Sequence, residues 1–124
     1  MPVFLRFVVG GDDEHHRSLT GVVTEARLLR DKGLLAAHEA ELLRSTYEWL
    51  NSNLPCPPFS SSGWPREAVA WFKDSAMESI KRMRELVILL ESHGFPVRML
   101  RSSNPGKVLY EDQYQVVVEE WKKL

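Results

Sequence analysis

The run Asp12-Asp13-Glu14-His15-His16 is the densest set of groups in this chain that could do chemistry. Carboxylates and imidazoles held close together suit a divalent transition metal, and Asp12, Glu14, His15 and His16 are the candidate ligands. Their spacing matches no recognised metal motif. Adjacent side chains in a strand or turn point in different directions, whereas two histidines four apart on a helix share one face. The competing reading is a solvated loop whose acidic residues favour the N-terminus of the next helix.

Glu111-Asp112 is the second candidate. Paired carboxylates do acid–base work only when another group faces them across a cleft, and both residues are also turn formers by type. His38, beside Glu39 and Glu41, falls on the apolar stripe of a predicted helix, where it is either a hydrogen-bonded, partly buried residue or a general base. His93 suits a helix C-terminus. Cys56, the single cysteine, sits in Leu54-Pro55-Cys56-Pro57-Pro58 with nothing nearby in sequence to lower its pKa, so it reads as a loop thiol. The sequence has no phosphate-binding glycine loop, dinucleotide fingerprint, zinc spacing or nucleophile elbow, and it implies no cofactor. Trp49, Trp64, Trp71 and Tyr47 gather around the proline-rich segment. Trp49, Trp64 and Trp71, with Glu111 and Asp112, are therefore the candidate binding residues, against the plainer reading that Trp49 and Trp71 close the end of the helical layer.

The elements that must position these groups follow from periodicity and punctuation. Val3 to Val9 is β-branched and aromatic and stops at Gly10-Gly11, as a first strand does. Leu19, Val22, Val23, Ala26 and Leu29 repeat at helical spacing up to Gly33. A second helix from about Leu34 to Ser52 carries Leu35, His38, Leu42, Thr46 and Trp49 on one stripe, with Leu43 and Leu50 widening it, and forms an antiparallel hairpin with the first. The spacing of Val69, Phe72, Ala76, Ile80, Met83, Val87 and Leu90 predicts one long helix from Pro65 to His93, stopped by Gly94 in a Schellman-type cap with Phe95 folding back. Three strands follow, around Val97 to Leu100, Val108 to Tyr110 and Tyr114 to Val118, joined as a meander. Pro105-Gly106 fits the centre of a type II turn. The first strand then lies beside the last or the middle strand of that meander. The expected fold is a single α+β domain over residues 1–124: a four-stranded, mostly antiparallel sheet in the order β-α-α-α-β-β-β, with helices packed on one face.

The segments Trp71-Phe72-Lys73, Met83-x-x-Leu86, His93-Gly94, Pro105-Gly106 and Tyr110-Glu111-Asp112-x-x-Gln115-Val116-Val117 resemble those of a family of small uncharacterised bacterial proteins. The resemblance covers most of the chain. It implies a bacterial cytosolic protein and carries over no site residue.

Composition narrows the functions. With 124 residues, 44% hydrophobic and 27% charged, the chain has the make-up of a folding globular domain. Sixteen basic and 17 acidic residues leave a net charge of -1, with no positive excess to draw in nucleic acid; Arg82 and Arg84 on the long helix are interleaved with Asp74, Glu78 and Glu85. No window approaches the ~20 apolar residues of a membrane span, and no signal peptide is legible. A lone cysteine fits a reducing cytoplasm. The leading expectation is a non-enzymatic protein-interaction or regulatory module that uses a sheet edge or the aromatic region to bind a protein partner or a second copy of itself. The alternative is a small ligand- or metal-binding protein or hydrolase-like enzyme using His15, His16, Glu111 and Asp112.

Overall fold

The computed structural model describes residues 3–10, 20–55 and 68–121. The candidate metal ligands Asp12, Glu14, His15 and His16, together with Cys56, Trp64 and Pro65, lie outside these residues. Along the described chain run β1 (Phe4–Val9), a two-residue β2 (Thr20–Gly21), α1 (Val22–Asp31), α2 (Ala37–Asn53), β3 (Ala68–Lys73), α3 (Met77–Ser92), β4 (Val97–Ser102), β5 (Gly106–Glu111) and β6 (Gln115–Glu120).

The expected long third helix is two elements. Residues 68–73 form a central strand, and the helix starts only at Met77. Val69, Phe72 and Ala76 fit helical spacing by coincidence. The alternation that governs them has period two: Val69 and Trp71 pair with Val118 and Val116, while Phe72 pairs with Leu5 on the other face. β-branched and aromatic side chains suit such a half-buried pleat better than a helix. The turn between strand and helix is fixed by Ala76 N–H donating to Lys73 O (2.9 Å) and Asp74 N–H donating to Val3 O (3.0 Å).

The sheet therefore has five full strands, not four, and all pairs are antiparallel. Its order is β4-β1-β3-β6-β5. β2 occupies the end of β1 that β3 leaves free, pairing Val8 with Gly21 and Val9 with Thr20. The three C-terminal strands are not a meander, since β5 and β6 form a hairpin while β4 pairs with β1 at the opposite edge. β1 thus lies between β4 and β3, beside neither strand expected for it. A chain of four Cα–Cα links from Ser102 to Gly106 reaches at most about 14 Å, whereas the edges of a flat five-stranded sheet stand about 19 Å apart. The sheet must curl on itself.

That curl creates two cores. On the outer face Leu5, Phe7 and Val9 pack against Val22, Ala26 and Leu29 of α1, Leu43 of α2, and Ile80, Met83, Leu86, Leu89 and Leu90 of α3. On the inner face Phe4, Trp71, Val116 and Val118 are buried, with Val69 and Leu100 against them. A strongly coiled small sheet is filled by its own side chains in this way. His38, expected on the buried stripe of α2, is exposed, whereas Thr46 of that stripe and Leu43 beside it are buried as expected.

The cap at the end of α3 has the expected form. Gly94 has φ of 86°, Phe95 N–H donates to Leu90 O, and Gly94 N–H donates to Glu91 O, both at 3.0 Å. Beside this cap, His93 Nε2–H donates to the Glu39 carboxylate at 2.9 Å, and the same carboxylate accepts from Ala36 N–H at 2.9 Å. The Ala36 amide and then His93 hold the Glu39 carboxyl below its ordinary value of 4.5. A depressed carboxylate pKa contributes stability above the unfolded value that is lost as pH falls through the folded one. Glu39→Gln should therefore remove part of the decline in the urea midpoint below about pH 4.5 while lowering the midpoint near neutrality. An acid limb identical to that of the parent protein would show that Glu39 does not couple the two helices.

Candidate functional site

A surface cleft of about 320 Å³ opens where the end of α2, the start of α3 and the β5–β6 turn meet. Trp49 and Asn53 line it from α2, Ser75 to Ser79 from the β3–α3 turn and first helical turn, and Tyr114 from the hairpin. Each wall is held by a local device. Asp112 Oδ1 accepts from the amides of Tyr114 (2.7 Å) and Gln115 (3.0 Å), which sets the turn that presents Tyr114. Gln115 Nε2 donates both to Asp112 (3.1 Å) and to Pro55 O (2.9 Å), tying the hairpin to the chain just beyond α2. Tyr114 O in turn accepts from Lys73 N–H at 2.8 Å. Burial raises the Asp112 carboxyl, but the hydrogen bonds from Tyr114, Gln115 and Tyr110 outweigh it and hold it below the usual range.

On the α2 side, the Arg82 guanidinium lies 4.7 Å from the Trp49 ring centroid, and its Nε donates to Glu78 at 3.1 Å. Glu78 and Arg82, four residues apart on α3, thus form a helical ion pair with Trp49 as its platform. The first turn of α3 has no side-chain cap, because its N-cap position is Ala76. Ile80 N–H is the first to take a helical acceptor, Ala76 O. Among the described residues, the amides of Glu78 and Ser79 have no acceptor.

The residues singled out from sequence separate in space. Trp49 lines the cleft, and Asp112 shapes the turn that forms one of its walls. Glu111 forms an ion pair with Lys73 at 2.6 Å and is not part of the lining. Trp71 is only 7% exposed and belongs to the inner core. Tyr47 sits under Arg27, 5.4 Å from guanidinium carbon to ring centroid. Among the described residues, no three His, Cys, Asp or Glu side chains are grouped to hold a metal, and no helix is long and apolar enough to cross a membrane. Sequence reasoning missed Asn53, Ser75, Met77, Ser79 and Tyr114. The signal for Ser75, Met77 and Ser79 was a helix start without a capping residue, which becomes visible only once α3 begins at Met77.

Fold and cleft together define an α+β protein with a curled antiparallel sheet, a helical layer on its outer face and a small aromatic cleft at one helix start. No protein-family model matches the chain, and comparisons with curated proteins and with solved structures find no match.

Proposed function

We propose that this protein is a non-enzymatic recognition module and that the cleft at the start of α3 is where it grips a segment of a protein partner. The observation that carries the reading is Met77: it is 76% exposed at the mouth of a cleft walled by Trp49 and Tyr114. A large apolar side chain left in water beside an aromatic depression suits an adaptable contact surface. The cleft volume lies at the low end for ligand sites, enough for one side chain of a partner.

The sheet edges support this choice over strand addition. β4 carries Arg98 and Arg101, and β5 is interrupted by a bulge between Val108 and Tyr110, both devices that discourage pairing with another chain. The paired carboxylates do not favour the enzyme alternative either, since Glu111 is engaged by Lys73 and Asp112 by its own turn. A bacterial cytoplasmic setting is part of the proposal and is supported by the family resemblance and the single cysteine.

Selection from a library of random peptides displayed with free C-termini tests the reading. The expected result is a consensus that binds the parent protein with a micromolar constant and loses at least tenfold on Met77→Glu, a change that suits a first helical turn electrostatically. Lys107→Glu, at the opposite end of β5 from the turn that carries Tyr114, should bind normally. No consensus, or one indifferent to Met77→Glu, would refute it.

A further inference from the structure

We infer that the partner segment gripped at the cleft is acidic and that it continues along the exposed face of α3 to the β4 edge of the sheet; this rests on the recognition reading above. Met77, Lys81, Arg84 and Ile88 follow one another at steps of four, three and four, and all are exposed. They form one stripe that starts at the mouth of the cleft and runs about 16 Å along the helix. Met99 and Arg101 of β4 widen it. Both are exposed, and both pair with residues whose side chains enter the outer core, Met99 with Phe7 and Arg101 with Leu5, so they stand on the face that α3 covers. The Arg84 guanidinium joins helix and strand by donating to Met99 Sδ at 3.7 Å.

The charges on this stripe differ from those on the rest of the described surface. Arg6, Arg30, Arg44, Lys73 and Arg82 each have a carboxylate within ion-pair distance. Lys81, Arg84 and Arg101 have none among the described residues. Arg84 directs a donor at a thioether, a weak acceptor, and leaves most of its N–H groups to solvent. Three such cations interleaved with Met77, Ile88 and Met99 match a segment in which carboxylates alternate with apolar side chains: ion pairs select the partner while the apolar groups leave water. Glu85, three residues after Arg82, lies on the side of α3 that carries Arg82 to Trp49. Asp74 precedes Met77 by three residues and Glu91 follows Ile88 by three, and both are exposed. These two carboxylates bracket the stripe and repel a polyanion long enough to pass them, which favours a short acidic segment of a protein over a nucleic-acid strand. An extended segment of about five residues covers the distance.

Titration of the ¹⁵N-labelled protein with acetyl-Leu-Glu-Asp-Glu-Leu-amide, its isosteric analogue acetyl-Leu-Gln-Asn-Gln-Leu-amide and a short oligouridylate decides the matter. The expected result is that the acidic peptide moves the amide signals of Lys81, Arg84 and Met99. It should bind about tenfold more tightly than the neutral peptide at about 50 mM salt, with the margin shrinking at about 500 mM, because exposed ion pairs are screened there. Arg84→Glu, at an exposed position outside the core, should remove that margin and leave the neutral peptide unchanged. Equal binding of the two peptides, or a margin that survives Arg84→Glu, overturns the acidic assignment while leaving an apolar recognition cleft in place. Tighter binding of the oligouridylate than of the acidic peptide overturns the protein assignment of the stripe in favour of nucleic acid. The absence of shifts at Lys81, Arg84 and Met99 with every probe overturns the inference, whereas the recognition reading itself falls only with the peptide selection.

Discussion

Replacing Gly106 by alanine should destabilise the protein by about 2–3 kcal/mol, the cost of forcing atoms into a packed site that cannot move away. Gly106 opens β5 directly against β6, opposite Glu120. A Cβ placed there would stand 2.9 Å from the Glu119 carbonyl carbon and closer still to its oxygen. Those are backbone atoms of a strand already pinned from its other side, since Glu119 is also paired with Ala68 of β3. Neither partner can retreat without breaking a ladder. Lys107→Ala, one residue further along the same edge and exposed, should stay within about 0.5 kcal/mol of the parent protein. Urea unfolding of both variants is the measurement. Similar stabilities would mean that β5 does not approach β6 as closely as the pairing requires.

The same glycine shows how much of the fold the sequence made legible. Pro105-Gly106 reads as the centre of a type II turn, yet the structure has only a bend at Ser103 before β5, and β4 and β5 run in the same sense through the sheet; the positive φ among the described glycines belongs to Gly10, Gly33 and Gly94. Gly106 is needed because another backbone crosses where its side chain would be. Close approach between distant segments leaves no local signature, so turn chemistry is the wrong cause for this glycine. Gly94 is the opposite case: its conformation, its hydrogen bonds and the role of Phe95 are all set within one helical turn, and they were readable.

Residues 68–73 mark the boundary between these regimes. Val69, Phe72 and Ala76 satisfy helical spacing, and only the partners on either side, Leu5 of β1 and Val116 and Val118 of β6, reveal the strand. Once that strand was read as helix, the fifth strand vanished from the sheet and the true start of α3 was hidden. The cleft went with it, because Ser75, Met77 and Ser79 then lay inside a helix instead of around its first turn. Trp49 remained visible as an aromatic at a helix end, while Trp71 belonged to a core that exists only because the sheet curls.

Within α3 itself the register was legible, and its energetic consequence is large. Leu86→Ala should cost about 3–4 kcal/mol, within the range for deleting a fully buried leucine whose surroundings relax only partly. Leu86 is 0% exposed in the core between the helices and β1. Ile88, two positions on, is 67% exposed. Two steps along a helix turn the side chain by about 200°, so Ile88→Ala should fall within about 0.5 kcal/mol of the parent protein, helped by the better helix propensity of alanine. A domain of this size has roughly 5–15 kcal/mol of stability to lose, so the first variant should unfold at far lower urea and the second at nearly the same concentration. The contrast bears on the cleft as well as the core, because Met77 and Ser79 are separated by the same two residues and show the same inversion of exposure. One rotation of α3 therefore buries Ser79 and Leu86 while leaving Met77 and Ile88 in water, and a reversal of the Leu86 and Ile88 effects would contradict that rotation at the cleft as well as in the core.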